Sequence, residues 1–261
     1  MRGVVILPNI PELWRSELSR PVANDHKYTR GHSVIIGASN YTGATRLAAA
    51  ACSRIGSGLV TVLSPDQAPV YRMTLPADIM VREGSLAEIN RPSVILAGPG
   101  GCDNAAAEAI RESDPNLGVI LDADAIRLSG ALRHKTRIAT PHVGEFHKYF
   151  GDLPSDPAPK LREIAKAQGV TLVLKGAKTF IAAPDGRLAE NTHASPYLAK
   201  AGSGDILAGM ITGLVAQGMP AFEAACAGVW MHGDASLRVG PGLIPQDLIA
   251  EFQNVLRELL A

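Results

Sequence analysis

The sequence predicts an α/β protein, a mostly parallel sheet with helices on both faces. Three observations carry this. Short apolar runs rich in Val and Ile recur along the 261 residues. Ala-rich segments of helical character alternate with them. The loops that follow the runs collect glycines and carboxylates. Strands buried on both faces read as continuous apolar runs, and parallel neighbours need crossovers of this kind.

The elements follow in order. SVIIG (33–37) reads as a buried strand, and GATRLAAAACSRI (43–55) as a helix whose small residues allow close packing. LVTVL (59–63), SVILA (93–97), GVIL (118–121), RIAT (137–140) and VTLVL (170–174) continue the strands, with helices expected over 103–112 and 159–168. At 179–190 the pattern changes: TFIAAPDGRLAE predicts two strands joined by the turn Pro184-Asp185-Gly186, an antiparallel hairpin closing one edge. Helices are expected over 205–217, 221–237 and 246–260, the last entered through Pro245. With no repeat or low-complexity linker, residues 1–261 read as one domain.

Composition excludes several classes. Lys+Arg 25 balances Asp+Glu 25, so no global field favours nucleic acid or an anionic membrane, and phosphate chemistry must rest on local donors. Cys52, Cys102 and Cys226 lie far apart with no CxxC, which suits reduced thiols in a cytoplasmic protein. The opening MRGVVILPNIPELW is too short in apolar character for a signal-peptide core, and 206–216 falls short of a bilayer span.

The segment with most chemistry is Ala201-Gly202-Ser203-Gly204-Asp205 before ILAGMITGLVA. Glycines ahead of a helix let a ligand approach the free N–H groups of its first turn, an anion site by construction. Asp205 either caps that helix or serves as base toward a hydroxyl attacking phosphorus. Lys175-Gly176-Ala177-Lys178-Thr179 follows VTLVL, where open α/β sheets bind ligands, and the other reading is a turn with solvated lysines. No GxxxxGK[ST] loop occurs. Gly98-Pro99-Gly100-Gly101 has Asp103 where a dinucleotide fingerprint needs its third glycine. Asp122 and Asp124 end the strand GVIL, as ligands of a nucleotide's Mg²⁺ or as caps, the latter favoured for Asp124. In TPHVGE, His142, Glu145 and His147 match no zinc spacing, while Pro141 is placed to open a helix with Glu145 in its first turns.

Taken in order, KYTRGHSVIIGASNYTGATRLAAA, SVILAGPGG, ILDADAIRL, TPHVGEF, LVLKGAKT, AGSGDILAGMITGLVAQG and EAACAGVWMHGDAS resemble the ADP/ATP-dependent NAD(P)HX dehydratases, carbohydrate-kinase-like relatives of ribokinase. The resemblance runs from about Lys27 to Ser236 and leaves no room ahead of it for the epimerase domain often fused in that family. It implies a ribokinase-like three-layer α/β/α sandwich with an edge hairpin, ADP or ATP with Mg²⁺, and hydrated NADH or NADPH (NADHX, NADPHX) as substrate. It also implies roles: Asp205 as base on the substrate hydroxyl, with Gly202, Ser203 and Gly204 around the anion. Lys175, Gly176, Ala177, Lys178 and Thr179 match the nucleotide segment, and Ala44, Gly100 and His142 the substrate side. Relatives often assemble as homo-oligomers.

Two departures bear on the acceptor. Cys102 stands where the family's GPGLG has its last glycine, and HASPYLAK (193–200) replaces TGNPxMAT. Lys200, where the family suggests Thr, is either a cation near the phosphates or a solvated lysine. A kinase of a small alcohol and a non-catalytic nucleotide sensor are the alternatives.

Overall fold

The computed structural model describes residues 5–261; Met1, Arg2, Gly3 and Val4, the first part of the lead-in, lie outside it. The strands are β1 (Leu7–Pro8), β2 (His32–Ile36), β3 (Leu59–Leu63), β4 (Ile79–Arg82), β5 (Val94–Ala97), β6 (Gly118–Leu121), β7 (Thr136–Ala139), β8 (Thr171–Leu174), β9 (Thr179–Ala182) and β10 (Leu188–Asn191). They form one ten-stranded sheet in the order β1-β10-β9-β8-β7-β6-β5-β2-β3-β4. All neighbours are parallel except β9, antiparallel to β8 and β10. The hairpin is thus where the turn signal puts it. The two-residue β1 runs beyond it, parallel to β10.

Along each central strand, successive side chains enter opposite cores. Ile35, Val62, Leu96, Ile120 and Val173 pack with α1 (Thr42–Arg54), α6 (Ser203–Ala216), α7 (Ala221–Val239) and α8 (Pro245–Leu260). Val34, Ile95, Val119 and Leu172 pack with α3 (Asn104–Glu112), α4 (Val143–Phe150) and α5 (Ala158–Gln168). This two-sided burial is why the runs are continuously apolar. Residues 64–92, unassigned from sequence, hold α2 (Ala68–Thr74) and β4.

Helix α6 is apolar nearly all round because it is buried nearly all round. It packs backbone against backbone on α1. A Cβ at Gly209 would collide with the Ala48 carbonyl, and one at Gly213 would lie 2.8 Å from the Cys52 carbonyl oxygen. Gly202 lies against Leu47, Gly209 against Ala48, and Gly213 against Cys52 and Ile55, so the two helices run in the same direction. Both begin at the carboxyl edge of the parallel strands.

Candidate active site

Five loops leave the carboxyl ends of β2, β5, β6, β7 and β8, and on them or on the helices they start stand Ala44, Gly100, Asp122, His142 and Lys175, while Gly202 to Asp205 form the start of α6, which follows β10. On one side, α1 begins beside the glycine turn after β5. Thr45 Oγ1 donates to the Pro99 carbonyl at 2.9 Å and accepts from Ala38 N at 3.1 Å. Tyr71 Oη donates to the Ala38 carbonyl at 2.8 Å. Gly100 abuts the Tyr41 backbone. Ala44 and Gly100 are thereby held together, next to a hollow of about 200 Å³ lined by Asn40, Gly100, Cys102 and Asp103. A larger hollow of about 550 Å³ lies against β3 and β4, bordered by Thr61 and Arg82. It borders none of the loops of the other side and is not where the chemistry gathers.

On the other side Lys175 is the hub. Its backbone N donates to the Pro141 carbonyl at 2.8 Å, extending the β7–β8 ladder to His142 and Lys175. Its side chain, only 19% exposed, turns inward, and Nζ donates to Asp122 Oδ1 at 2.8 Å with Glu145 Oε2 at 3.9 Å. Thr140 Oγ1 donates to the same Asp122 oxygen at 2.6 Å. Burial works against the lysine's charge, but the carboxylates of Asp122, Glu145 and Asp205 hold its pKa above the ordinary value. Gly176, Ala177 and Lys178 are exposed, but the solvated-turn reading fails for Lys175.

Across from the lysine is the glycine turn. Helix α6 starts at Ser203 with Gly202 as its N-cap at φ +94°, and no side chain caps it. The capping reading of Asp205 is thus corrected: it is the third helical residue, and, with Ser203 N donating to the Lys200 carbonyl, the Gly204 and Asp205 amides are left without a backbone acceptor in the first turn. A Cβ on Gly204 would stand 3.3 Å from Lys175 Nζ, so the ammonium adjoins this turn. Burial, then the Asp122 carboxylate, push the Asp205 carboxyl up to about 6; Lys175 opposes the rise and Glu145 adds to it. A carboxylate tuned toward neutrality beside free helix amides suits a general base in phosphoryl transfer.

Two further readings change. Pro141 does not open α4: His142 is its N-cap, with Nδ1 accepting from Gly144 N at 2.9 Å and Glu145 N at 3.2 Å. Glu145 Oε2 returns the bond from His142 N at 2.8 Å. Asp124 caps nothing and accepts from Tyr149 Oη at 3.2 Å and Lys148 Nζ at 3.4 Å. Among the described residues, no group of three His, Cys, Asp or Glu is placed to hold a metal ion. Lys175 Nζ occupies the space between Asp122 and Glu145 that such an ion would need. The residues do not fit a protein-held Mg²⁺.

The sequence profile of the NAD(P)H-hydrate dehydratases matches residues 32–251. The chain belongs to the NAD(P)H-hydrate dehydratase family. Among dehydratase relatives, an ADP-dependent (S)-NAD(P)H-hydrate dehydratase of Neisseria meningitidis is 35% identical, over 91% of this chain and 83% of its own. A bifunctional NAD(P)H-hydrate repair enzyme of Methanopyrus kandleri is 33% identical, and the chain spans 53% of its length. Against the Bacillus subtilis ADP/ATP-dependent NAD(P)H-hydrate dehydratase, co-crystallised with ATP/Mg²⁺, the TM-score is 0.86 at 27% identity, over 98% of this chain and 100% of that one. The expected ribokinase-like α/β architecture is borne out. A hydroxyethylthiazole kinase of Pyrococcus horikoshii, 14% identical with a TM-score of 0.59, shares the fold alone.

Within the dehydratase framework the structure gathers Lys175, Gly204 and Asp205 tightly, with His142 joined through the Lys175 backbone. Ala44 and Gly100 form the opposite jaw. Lys178 diverges, its Nζ 3.1 Å from Glu190 Oε1, and Thr179 Oγ1 turns back to the Gly176 carbonyl at 3.2 Å. Lys200 is exposed, and only its backbone touches the turn, its carbonyl accepting from Ser203 N at 3.2 Å. Sequence reasoning missed Thr140 and the use of Glu145 as a neighbour of Lys175. The HVGE spacing, a His in place of Ser or Thr in a capping box, was the available signal. The described residues include no helix long and apolar enough to cross a membrane.

Proposed function

We propose that the protein uses ADP or ATP to dehydrate NADHX or NADPHX. The observation that supports this most is Asp205, a carboxylate raised to about 6 in the free first turn of α6 beside Lys175. In this scheme Asp205 takes the proton of the ring hydroxyl, whose oxygen attacks the terminal phosphorus. The bond to the nucleotide breaks and AMP or ADP departs. The amides of Gly204 and Asp205 receive the charge on the phosphoryl oxygens, the largest service a protein renders in such transfers. Phosphate then leaves with the C–O electrons, a neighbouring ring proton is lost, and NADH or NADPH results. The exposed amides of Gly176 and Ala177 are assigned to the nucleotide, and Ala44, Gly100 and His142 to the hydrated dinucleotide. Mg²⁺ enters on the nucleotide phosphates and supplies charge neutralisation there.

The test is consumption of NADHX with ADP, then ATP. Appearance of NADH with stoichiometric phosphate supports the proposal. Nucleotide turnover on small alcohols with NADHX untouched moves it to a kinase, and binding without turnover to a sensor.

A further inference from the structure

The carboxyl ends of β6, β7 and β8 each deliver one polar side chain to the same spot, and the scheme above gives one of them, Thr140, no part. Leu121 and Ala139 are register partners, and Thr140 N continues their ladder by donating to the Leu121 carbonyl at 3.0 Å, which sets Thr140 beside Asp122. The threonine is fully buried. Its hydroxyl has one proton to give. The Leu121 carbonyl lies 3.4 Å from Oγ1 and Asp122 Oδ1 only 2.6 Å, so the proton goes to the carboxylate. Hydrogen bonds to an ionised acceptor are roughly twice as strong as neutral ones. Lys175 Nζ donates to that same oxygen at 2.8 Å. The hydroxyl therefore fixes the rotation of the Asp122 carboxylate, and Oδ1 fixes the tip of a flexible four-carbon stem. The other groups around the ammonium are Glu145 on α4, with Oε2 at 3.9 Å, Asp205 on α6, and the buried, neutral His232 on α7. Nζ is 3.3 Å from where Gly204 would carry a Cβ, so a swing of Asp122 would draw the charge away from the glycine turn.

We propose that Thr140 is a positioning residue for Lys175: its hydroxyl pins Asp122 Oδ1, and Asp122 in turn holds the ammonium against the Gly204 turn, where a nucleotide's terminal phosphate is received. This rests on the nucleotide-dependent reading of the site. It requires no contact between Thr140 and either substrate.

The experiment compares Thr140→Val, which keeps the shape and deletes the donor, with Thr140→Ser, which keeps the donor, both in the full chain. It reads ADP affinity by calorimetry, the KM values for nucleotide and NADHX, and the acid limb of kcat. Thr140→Val is expected to weaken ADP binding roughly tenfold, the worth of one hydrogen bond to a charged group, and to raise the nucleotide KM alike. Its acid limb moves to higher pH, because Asp122 raises the Asp205 pKa and a loosened Lys175 opposes that rise less. Thr140→Ser is parental in every readout. The KM for NADHX stays parental in both variants. His142 is two residues further along the chain, so a general loosening of this strand end would raise that KM as well. Parental ADP affinity or an unmoved acid limb in Thr140→Val overturns the proposal, as does an equal loss in both KM values or a Ser variant that behaves like Val. If the Val variant does not fold, Thr140→Ala takes its place under the same criteria. A parent that binds ADP but leaves NADHX unchanged defeats the dehydratase reading, and the ADP comparison still decides Thr140. A parent that binds neither ADP nor ATP overturns both.

Discussion

Replacing Asp205 by Asn is expected to make the protein more stable and nearly inactive. In the fold its pKa is raised from an ordinary 3.8 to about 6, mainly by burial and then by Asp122. Between those values the folded chain keeps a proton that the unfolded chain has lost, so stability falls as pH rises through that window and stays lower above it. At about 1.4 kcal/mol per pH unit the penalty is at most ~3 kcal/mol. Partial solvent access makes roughly half of that the working value. The neutral amide escapes it, so at pH 8 Asp205→Asn is expected to melt roughly 3–6 °C above the parent, given ~2–4 °C per kcal/mol for a chain of this size. Near pH 4 the gain disappears. Turnover falls by roughly 10²–10⁴, the usual worth of a general base. Calorimetric melts at both pH values and steady-state rates of NADH formation measure the two effects. A variant no more stable than the parent at pH 8, or equally stabilised at pH 4, would refute the electrostatic reasoning, and parental turnover would remove Asp205 from the mechanism.

The other predictions are briefer. The acid limb of the parent's kcat profile is expected near pH 6, because only ionised Asp205 accepts a proton; a flat profile through that region rejects the assignment. Lys175→Met strips the partner from buried Asp122, which costs ~3–5 kcal/mol in comparable pairs. Because Lys175 holds the Asp205 pKa down, the variant also moves that acid limb to higher pH, and chemical unfolding with a pH–rate series checks both. Gly98→Ala places a Cβ on the Asp122 carbonyl at φ +118°, so a loss above ~1 kcal/mol is expected, and a parental urea midpoint rejects it. Lys200→Thr is expected to keep parental kinetics at every Mg²⁺ concentration, since the side chain is exposed; a lower kcat assigns it a cation's role.

Much of this was legible in the sequence for a physical reason. Runs such as SVII and GVIL are buried on both faces, and few other arrangements tolerate continuous apolar strands between helices. Strand β4 was not legible because it pairs on one side only and is half open, so IMVR carries no clear period. Helix α2 is seven residues long and has a proline in its first turn. In the site, the glycine turn before α6 is a local signal and was found. The inward turn of Lys175 was not, because Asp122 is 53 residues away in the chain and only the parallel order β6-β7-β8 brings them together.

The backbone seam between α1 and α6 has a consequence for how the cleft is spaced. One helix starts the jaw that holds Ala44, the other the jaw that holds Asp205, and at Gly209 they touch backbone to backbone against Ala48, while Gly213 lies against the Cys52 carbonyl and the Ile55 side chain. Rotamer changes, the commonest way a protein interior adjusts, have no purchase on the Gly209 contact. On the proposed function the gap between hydroxyl and phosphorus is set by this contact, and a misplacement of about 1 Å can cost ~10²-fold in rate. A single methyl added at the seam, remote from every reacting atom, acts as a shim that opens both jaws at once, so reaction rate reports on the seam's thickness.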